Sequence, residues 1–326
     1  MIFPPFGSAV TALAFLSSIR LASPANFLMN PQIAHPSPIR GYLIHLTHYD
    51  PRWTSLKSRE KSFDLQVAHD VVDALSKQGF NMLLIGVSDG VRYDSHPEFS
   101  RRYSVPKQQL VELAEHARGL GMEVVPKLNF SRSPTNCHNH WMRAPGEEWC
   151  AHFDDDYSWK TAFEVIDEVI EACKPERFFH VGMDEDHERS VRQFSRALTT
   201  LHAGLLQRGL RTVAWSDSAL DYPSGEAYRE KSEFAEKEGV PRDVVRILWN
   251  YWAVPEKEME QIHRQGMELW GAPGWSDPDQ AVKFRDALIR AGGNGLIMTR
   301  WIACQKRNRR IFLDLIKRFG PIYSEV

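Results

Sequence analysis

Cysteine is scarce in this sequence: there are four in 326 residues, Cys137, Cys150, Cys173 and Cys304, and none forms a CxxC pair. That spacing excludes a zinc ribbon, a dithiol redox centre and a disulfide-built scaffold, leaving one loop disulfide, Cys137 to Cys150, open. Long hydrophobic runs are missing too. No stretch approaches the roughly 20 apolar residues needed to cross a bilayer, so no membrane partner is expected. Excess charge of either sign is also absent: 40 lysines and arginines face 42 acids, a formal net charge of -2. No global field therefore draws the chain to nucleic acid or anionic lipid, and the basic run 306–310 reads as a solvated helix start. The first expected strand, 42–46, is not followed by a GxGxxG turn, which argues against a dinucleotide cofactor. No cofactor and no metal are expected.

What is present is an ordinary globular composition, 43% hydrophobic and 25% charged, with one excess: 10 tryptophans. Flat amphipathic rings in that number exceed the needs of a core, and sugar-binding clefts use them as stacking platforms. A carbohydrate is the expected ligand. The apolar run 6–16 has the length of a signal-peptide core, but nothing basic precedes it and Ala22-Ser-Pro-Ala25 is a poor cleavage site. The pattern leans to a cytoplasmic location over export. Pro31, Pro36 and Pro38 mark residues 1–39 as an extended lead-in, and the folded domain is placed at 40–326.

From residue 40 onward, short aliphatic runs alternate with longer amphipathic ones. The expected strands are 42–46, 82–87, 123–129, 178–183, 212–215, 245–249, 267–270 and 295–301. The expected helices are 60–78, 106–119, 158–173, 190–208, 225–237, 255–264, 277–291 and 305–318. Several helical runs close on glycine just before the next strand, at Gly79, Gly121 and Gly293. Strict alternation predicts a parallel sheet, and eight units in about 280 residues predict an α/β fold of the closed (β/α)8 barrel type.

That fold puts chemistry at the C-terminal strand ends. Strand one ends in His45-Leu-Thr-His48, strand two in Ser88-Asp89, strand three in Lys127-Leu-Asn129, and strand four in Asp184-Glu185-Asp186. Strands five to eight end at Trp215, Trp249, Trp270 and Trp301, so acids gather on one side of the cycle and indoles on the other. In Phe178-Phe-His-Val-Gly-Met-Asp-Glu185, period-two alternation points His180 and Asp184 into the barrel, and Glu185 follows at the turn. Two carboxyls so close raise at least one pKa, and a carboxyl that keeps its proton near neutral pH is a general acid. The competing reading is a solvated acidic loop, since Asp186 and Glu188 extend the run. Usual glycosidase pairs straddle the sugar, about 5–5.5 Å apart or more, which neighbours on one strand end do with difficulty. Adjacency suits the exception in which the substrate's 2-acetamido oxygen attacks the anomeric carbon, with one carboxylate steadying the amide and the other protonating the leaving oxygen. A metal site built on His45, His48, His180 and Asp184 fits poorly, because His45 and His48 are three apart on an extended segment and face opposite ways.

These residues resemble the family 20 glycoside hydrolases, the β-N-acetylhexosaminidases. Arg40-Gly41 is similar to the family's opening, whose arginine holds sugar hydroxyls; Lys77–Asn81 with Ser88-Asp89 is similar to its second-strand segment. Leu120–Asn129 resembles its third strand and His180-Val-Gly-Met-Asp-Glu185 its catalytic strand. The resemblance covers about residues 40 to 305 and implies a retaining, substrate-assisted enzyme. It implies Trp215 and Trp249 as walls of the acetamido pocket and Trp301 as the closure of the sugar site. Asp89, Asn129, His180 and a loop histidine, His138 or His140, complete the implied set. The chain departs from the family pattern at Met183, where a second glycine is usual. It departs again in the loop 131–140, in the lack of a tyrosine after strand seven, at Ile302, and in having no room for the family's N-terminal domain. Two alternatives stay open: a retaining glycosidase for a sugar without the acetamido group, and a sugar-binding barrel without turnover.

Overall fold

In the computed structural model, residues 38–48, 59–132, 154–220 and 228–326 are described. The apolar run 6–16, Cys137, Cys150, His138 and His140 lie outside them. Eight parallel strands close into a barrel in sequential order: β1 (Ile39–His45), β2 (Met82–Gly86), β3 (Glu123–Lys127), β4 (Phe178–His180), β5 (Arg211–Ser216), β6 (Val245–Trp249), β7 (Leu269–Ala272) and β8 (Gly295–Ala303). Among the described residues, eight α-helices connect or follow them: α1 (Leu65–Lys77), α2 (Gln108–Gly119), α3 (Asp156–Cys173), α4 (Val191–Leu206), α5 (Tyr228–Phe234), α6 (Glu256–Arg264), α7 (Pro278–Arg290) and α8 (Arg309–Tyr323). The (β/α)8 barrel expected from the alternation is the observed fold. Among the described residues, no helix is long and apolar enough to cross a membrane.

Local chemistry sets the helix starts. The Asp64 carboxylate accepts from the Val67 N–H, that of Asp155 from the Ser158 N–H, and Ser190 forms a capping box with Gln193. Apolar side chains divide into two cores. Leu43, Leu84, Val125, Val213 and Ile247 fill the barrel, whereas the alternate strand positions pack outward on the helices.

Register decides which side chains share a level. His45 pairs with Gly86, Gly86 with Lys127, Lys127 with His180 and His180 with Val213, so a polar row of two histidines and a lysine crosses β1 to β4. Gly86 is part of that row for a steric reason: a Cβ there would lie 2.7 Å from His45 Nδ1. Two expectations need correction. Trp270 does not end β7 at the mouth: it lies inside the strand, fully buried and edge-on to Phe178, the first residue of β4. Strand four stops at His180 and not at Met183, because Gly182 (φ +72°) and Met183 (φ +74°) take left-handed backbone that a strand cannot continue.

Candidate active site

The left-handed turn after β4 aims the acidic pair at the mouth. Asp184 is buried and Glu185 half-buried. Asn129, two residues beyond β3 on its inward face, donates from Nδ2 to Asp184 Oδ1 at 2.6 Å. Its Oδ1 accepts from the N–H and hydroxyl of Ser131 and from the Met183 N–H, at 2.9, 2.6 and 3.1 Å. Gly182 makes this approach feasible: a Cβ at its position would stand 2.3 Å from the Asn129 side chain. Of the rest of the acidic run, Glu188 is exposed but Asp186 is not. Asp186 is 1% exposed; its carboxylate takes Arg189 Nη1 and the Arg132 N–H, each at 2.7 Å.

On the opposite wall, Trp249 donates its indole N–H to Asp217 Oδ1 at 2.8 Å, and Trp301 donates to the Tyr251 hydroxyl at 2.7 Å. Trp215 and Trp301 stand 5.9 Å apart centre to centre, Trp215 meets His180 edge-on at 4.9 Å, and His45 lies 5.0 Å from Trp301. Asp217 Oδ2 accepts the main-chain N–H of Glu185 at 2.7 Å, which joins the acidic side to the aromatic one.

The electrostatics follow from burial. Asp217 is pushed well above the carboxylate range, first by desolvation and then by the charges of Asp184 and Glu185. His180 accepts the Gly182 N–H at Nδ1, and burial, with the Lys127 charge behind it, holds the ring neutral. The same two causes act on His45. Lys127, 2% exposed, is lowered by burial to about 8, against the pull of Asp184. Desolvation raises the Tyr251 hydroxyl, so it stays protonated. Among the described residues, no three His, Cys, Asp or Glu side chains converge as metal ligands would. His45 and His48 have separate partners, Trp301 and Glu60.

Of the residues singled out in the sequence, Asp184, Glu185, Asn129, His180, Trp215, Trp249 and Trp301 are brought to one end of the barrel. Asp89 follows β2 at that end but is engaged with the Thr47 and Tyr103 hydroxyls at 2.8 and 2.6 Å. Arg40 is not brought there. It sits one residue into β1, donates from Nε to the Gly79 carbonyl at 2.6 Å, and lies five residues before His45, about 16 Å down the strand. Sequence reasoning gave no role to Lys127, Asp217 or Tyr251. Period two carried past the strand ends finds them: Lys127 is two before Asn129, Asp217 two after Trp215, and Tyr251 two after Trp249. The loop after β7 carries no tyrosine, but Tyr251, which follows β6, lies against it: a Cβ at Gly274 would stand 2.6 Å from the Tyr251 ring.

No family model and no curated protein matches the chain. Solved structures do. Dispersin B aligns over 81% of this chain and 95% of its own, at 14% identity and a TM-score of 0.53. The family 20 β-N-acetylhexosaminidase of Streptomyces coelicolor A3(2) aligns over 88% of this chain and 63% of its own, at 14% identity and a TM-score of 0.62. A Streptomyces plicatus β-hexosaminidase, solved with its product GlcNAc, aligns over 88% and 62%, at 15% identity and a TM-score of 0.60. The fold is that of the family 20 glycoside hydrolases. At these identities the likeness establishes the barrel and its topology, and the chemistry rests on this chain's own side chains.

Proposed function

We propose that this protein is a retaining glycoside hydrolase acting on β-linked N-acetylhexosamine by substrate assistance. The observation that carries the reading is the Asp184–Glu185 pair beyond β4, with Asn129 fixing one oxygen of Asp184 at 2.6 Å. No other described side chain hydrogen-bonds the Asp184 carboxylate, so Oδ2 is available to an amide N–H of the substrate. An ionised Asp184 in that place orients the 2-acetamido group and balances the positive charge that grows on it as its oxygen attacks the anomeric carbon. Glu185 delivers a proton to the departing oxygen, then takes one from the water that opens the cyclic intermediate.

The remaining acids support this assignment. Asp89 and Asp217 each have both oxygens engaged, so neither stands ready as a nucleophile across the ring. Trp215, Trp249 and Trp301 supply apolar walls, and the Tyr251 hydroxyl, which keeps its proton, is a donor for an acceptor oxygen. The solved proteins with this fold include enzymes described as acting on β-N-acetylglucosaminides, in keeping with the choice of sugar.

The test pairs two measurements. Nitrophenyl 2-acetamido glycosides should turn over far faster than their 2-hydroxyl counterparts, and a thiazoline mimic of the cyclised intermediate should inhibit more tightly than the free sugar. Equal turnover of the two substrates, or a covalent fluorosugar label on an aspartate or glutamate, would replace substrate assistance with an enzyme nucleophile.

A further inference from the structure

Two carboxylates that follow barrel strands outside the acidic pair, Asp89 after β2 and Asp217 after β5, differ in the kind of partner they hold. Asp89 accepts from hydroxyls, which can rotate to other acceptors. Asp217 accepts from two N–H groups whose directions are fixed: the main-chain N–H of Glu185 on Oδ2, at 2.7 Å, and the indole N–H of Trp249 on Oδ1, at 2.8 Å. Its own backbone is pinned, with its N–H donating to Ser232 Oγ at 2.9 Å and its carbonyl accepting from the Leu220 N–H at 2.9 Å. The residue is 2% exposed.

What Asp217 holds is not at rest by itself. Glu185 has φ +48°, a left-handed conformation that residues with a Cβ avoid and that persists only where its surroundings over-determine it. Trp249 is 7% exposed and meets Tyr251 at 5.2 Å, so its ring plane is set by packing on one side and by Asp217 on the other. Asparagine, the obvious neutral substitute, offers one acceptor oxygen and would turn an NH2 on the other donor. The carboxyl is kept although burial and the charges of Asp184 and Glu185 all oppose its ionisation. Packing alone gives no reason to keep an acid there.

We propose that Asp217 is a positioning residue that fixes the backbone of Glu185 and the ring of Trp249 as one unit, so that the proton-delivering carboxyl and the wall of the sugar site keep a constant mutual geometry. The proposal rests on the glycosidase reading and adds to it how the acid is aimed. A displacement of about 1 Å in a catalytic group can cost on the order of 10²-fold in rate. A misaimed acid matters only where the leaving oxygen needs its proton.

Asp217→Asn should therefore lower kcat by about 10- to 100-fold on glycosides with poor leaving groups, with KM within about threefold, and much less on activated aryl glycosides. The thermal midpoint should stay close to wild type. A substrate-free readout accompanies it: the 15N–1H resonance of the Trp249 indole, assigned with Trp249→Phe, should follow the titration of Asp217 in the wild-type protein, and Asp217→Asn should remove that titration. Trp249→Phe itself keeps a ring but withdraws the donor to Oδ1, and should show a smaller kcat loss with the same leaving-group dependence. Equal losses on both substrate classes, a collapse of the thermal midpoint that accounts for the loss, or an indole resonance indifferent to Asp217→Asn would overturn the proposal. A wild-type protein inert on both substrates overturns the glycosidase reading instead, and the resonance then still decides whether Asp217 and Trp249 form one unit.

Discussion

Asn129 and Asp184 are 55 positions apart in the chain and joined by a 2.6 Å hydrogen bond, in which the amide donates and the carboxylate accepts. The direction is set by the far side of the amide. Asn129 Oδ1 faces three donors, two from Ser131 and one from Met183, so the amide cannot flip and Nδ2 is held on Asp184. Asp184 is thus kept as an oriented acceptor before any substrate arrives.

Asn129→Asp should expose that arrangement. The three donors would still hold the new carboxylate and keep it ionised, so the fold should survive. Two negative charges would then share the site and repel each other. The acidic limb of the kcat profile should move up by about one unit or more, with a lower plateau. A profile coincident with wild type would show that Asn129 does not govern Asp184.

Replacing Glu185 with glutamine removes the proton without changing the shape. Turnover on substrates with poor leaving groups should fall by about 10²–10⁴-fold. On activated aryl glycosides, whose departing oxygen hardly needs a proton, the loss should be much smaller. Steady-state kinetics on the two classes decides this, and equal losses would remove Glu185 from the role of acid.

Lys127 supplies a pH signature. Its folded pKa of about 8 lies below the ordinary lysine value, so between about 8 and 10.5 the unfolded chain binds the extra proton and stability rises with pH. Below 8 the lysine is charged in both states and the penalty is fully present. Lys127→Met should raise stability at pH 7 by about 2–3 kcal/mol, and the gain should fade toward pH 10.5, as measured by denaturant unfolding at the two pH values. Activity should move the other way, because the acidic pair loses the positive charge of Lys127, which interacts with Asp184.

Two of the wall tryptophans should behave differently on truncation. Trp249 is 7% exposed and hydrogen-bonded, so Trp249→Ala should cost about 3–5 kcal/mol in stability as well as binding. Trp301 is only partly buried at the mouth, so Trp301→Ala should raise KM with a smaller change in thermal midpoint. Calorimetry and kinetics on the pair separate core filling from sugar contact; an equal loss of stability would make Trp301 core.

Much of this was legible in the chain. The alternation of short aliphatic and longer amphipathic segments determined eight strands and eight helices, and period two told which face of each strand looks inward. It follows that Asn129, His180, Trp215, Trp249 and Trp301 point into the barrel; Asp184 lies beyond the left-handed turn at Gly182 and Met183, where period two no longer applies. What periodicity cannot supply is depth along the barrel axis, because depth depends on register between strands distant in sequence. That is why Arg40 lies at the far rim and Trp270 in the packed interior. The end of β4 was likewise a tertiary decision: Gly182 and Met183 turn left-handed where Asn129, from another strand, holds the Met183 N–H and leaves no space for a Cβ at Gly182. The joining of Glu185 to Trp249 through Asp217 has the same origin, since a hydrogen bond between β4, β5 and β6 exists only once the barrel has closed and set their stagger.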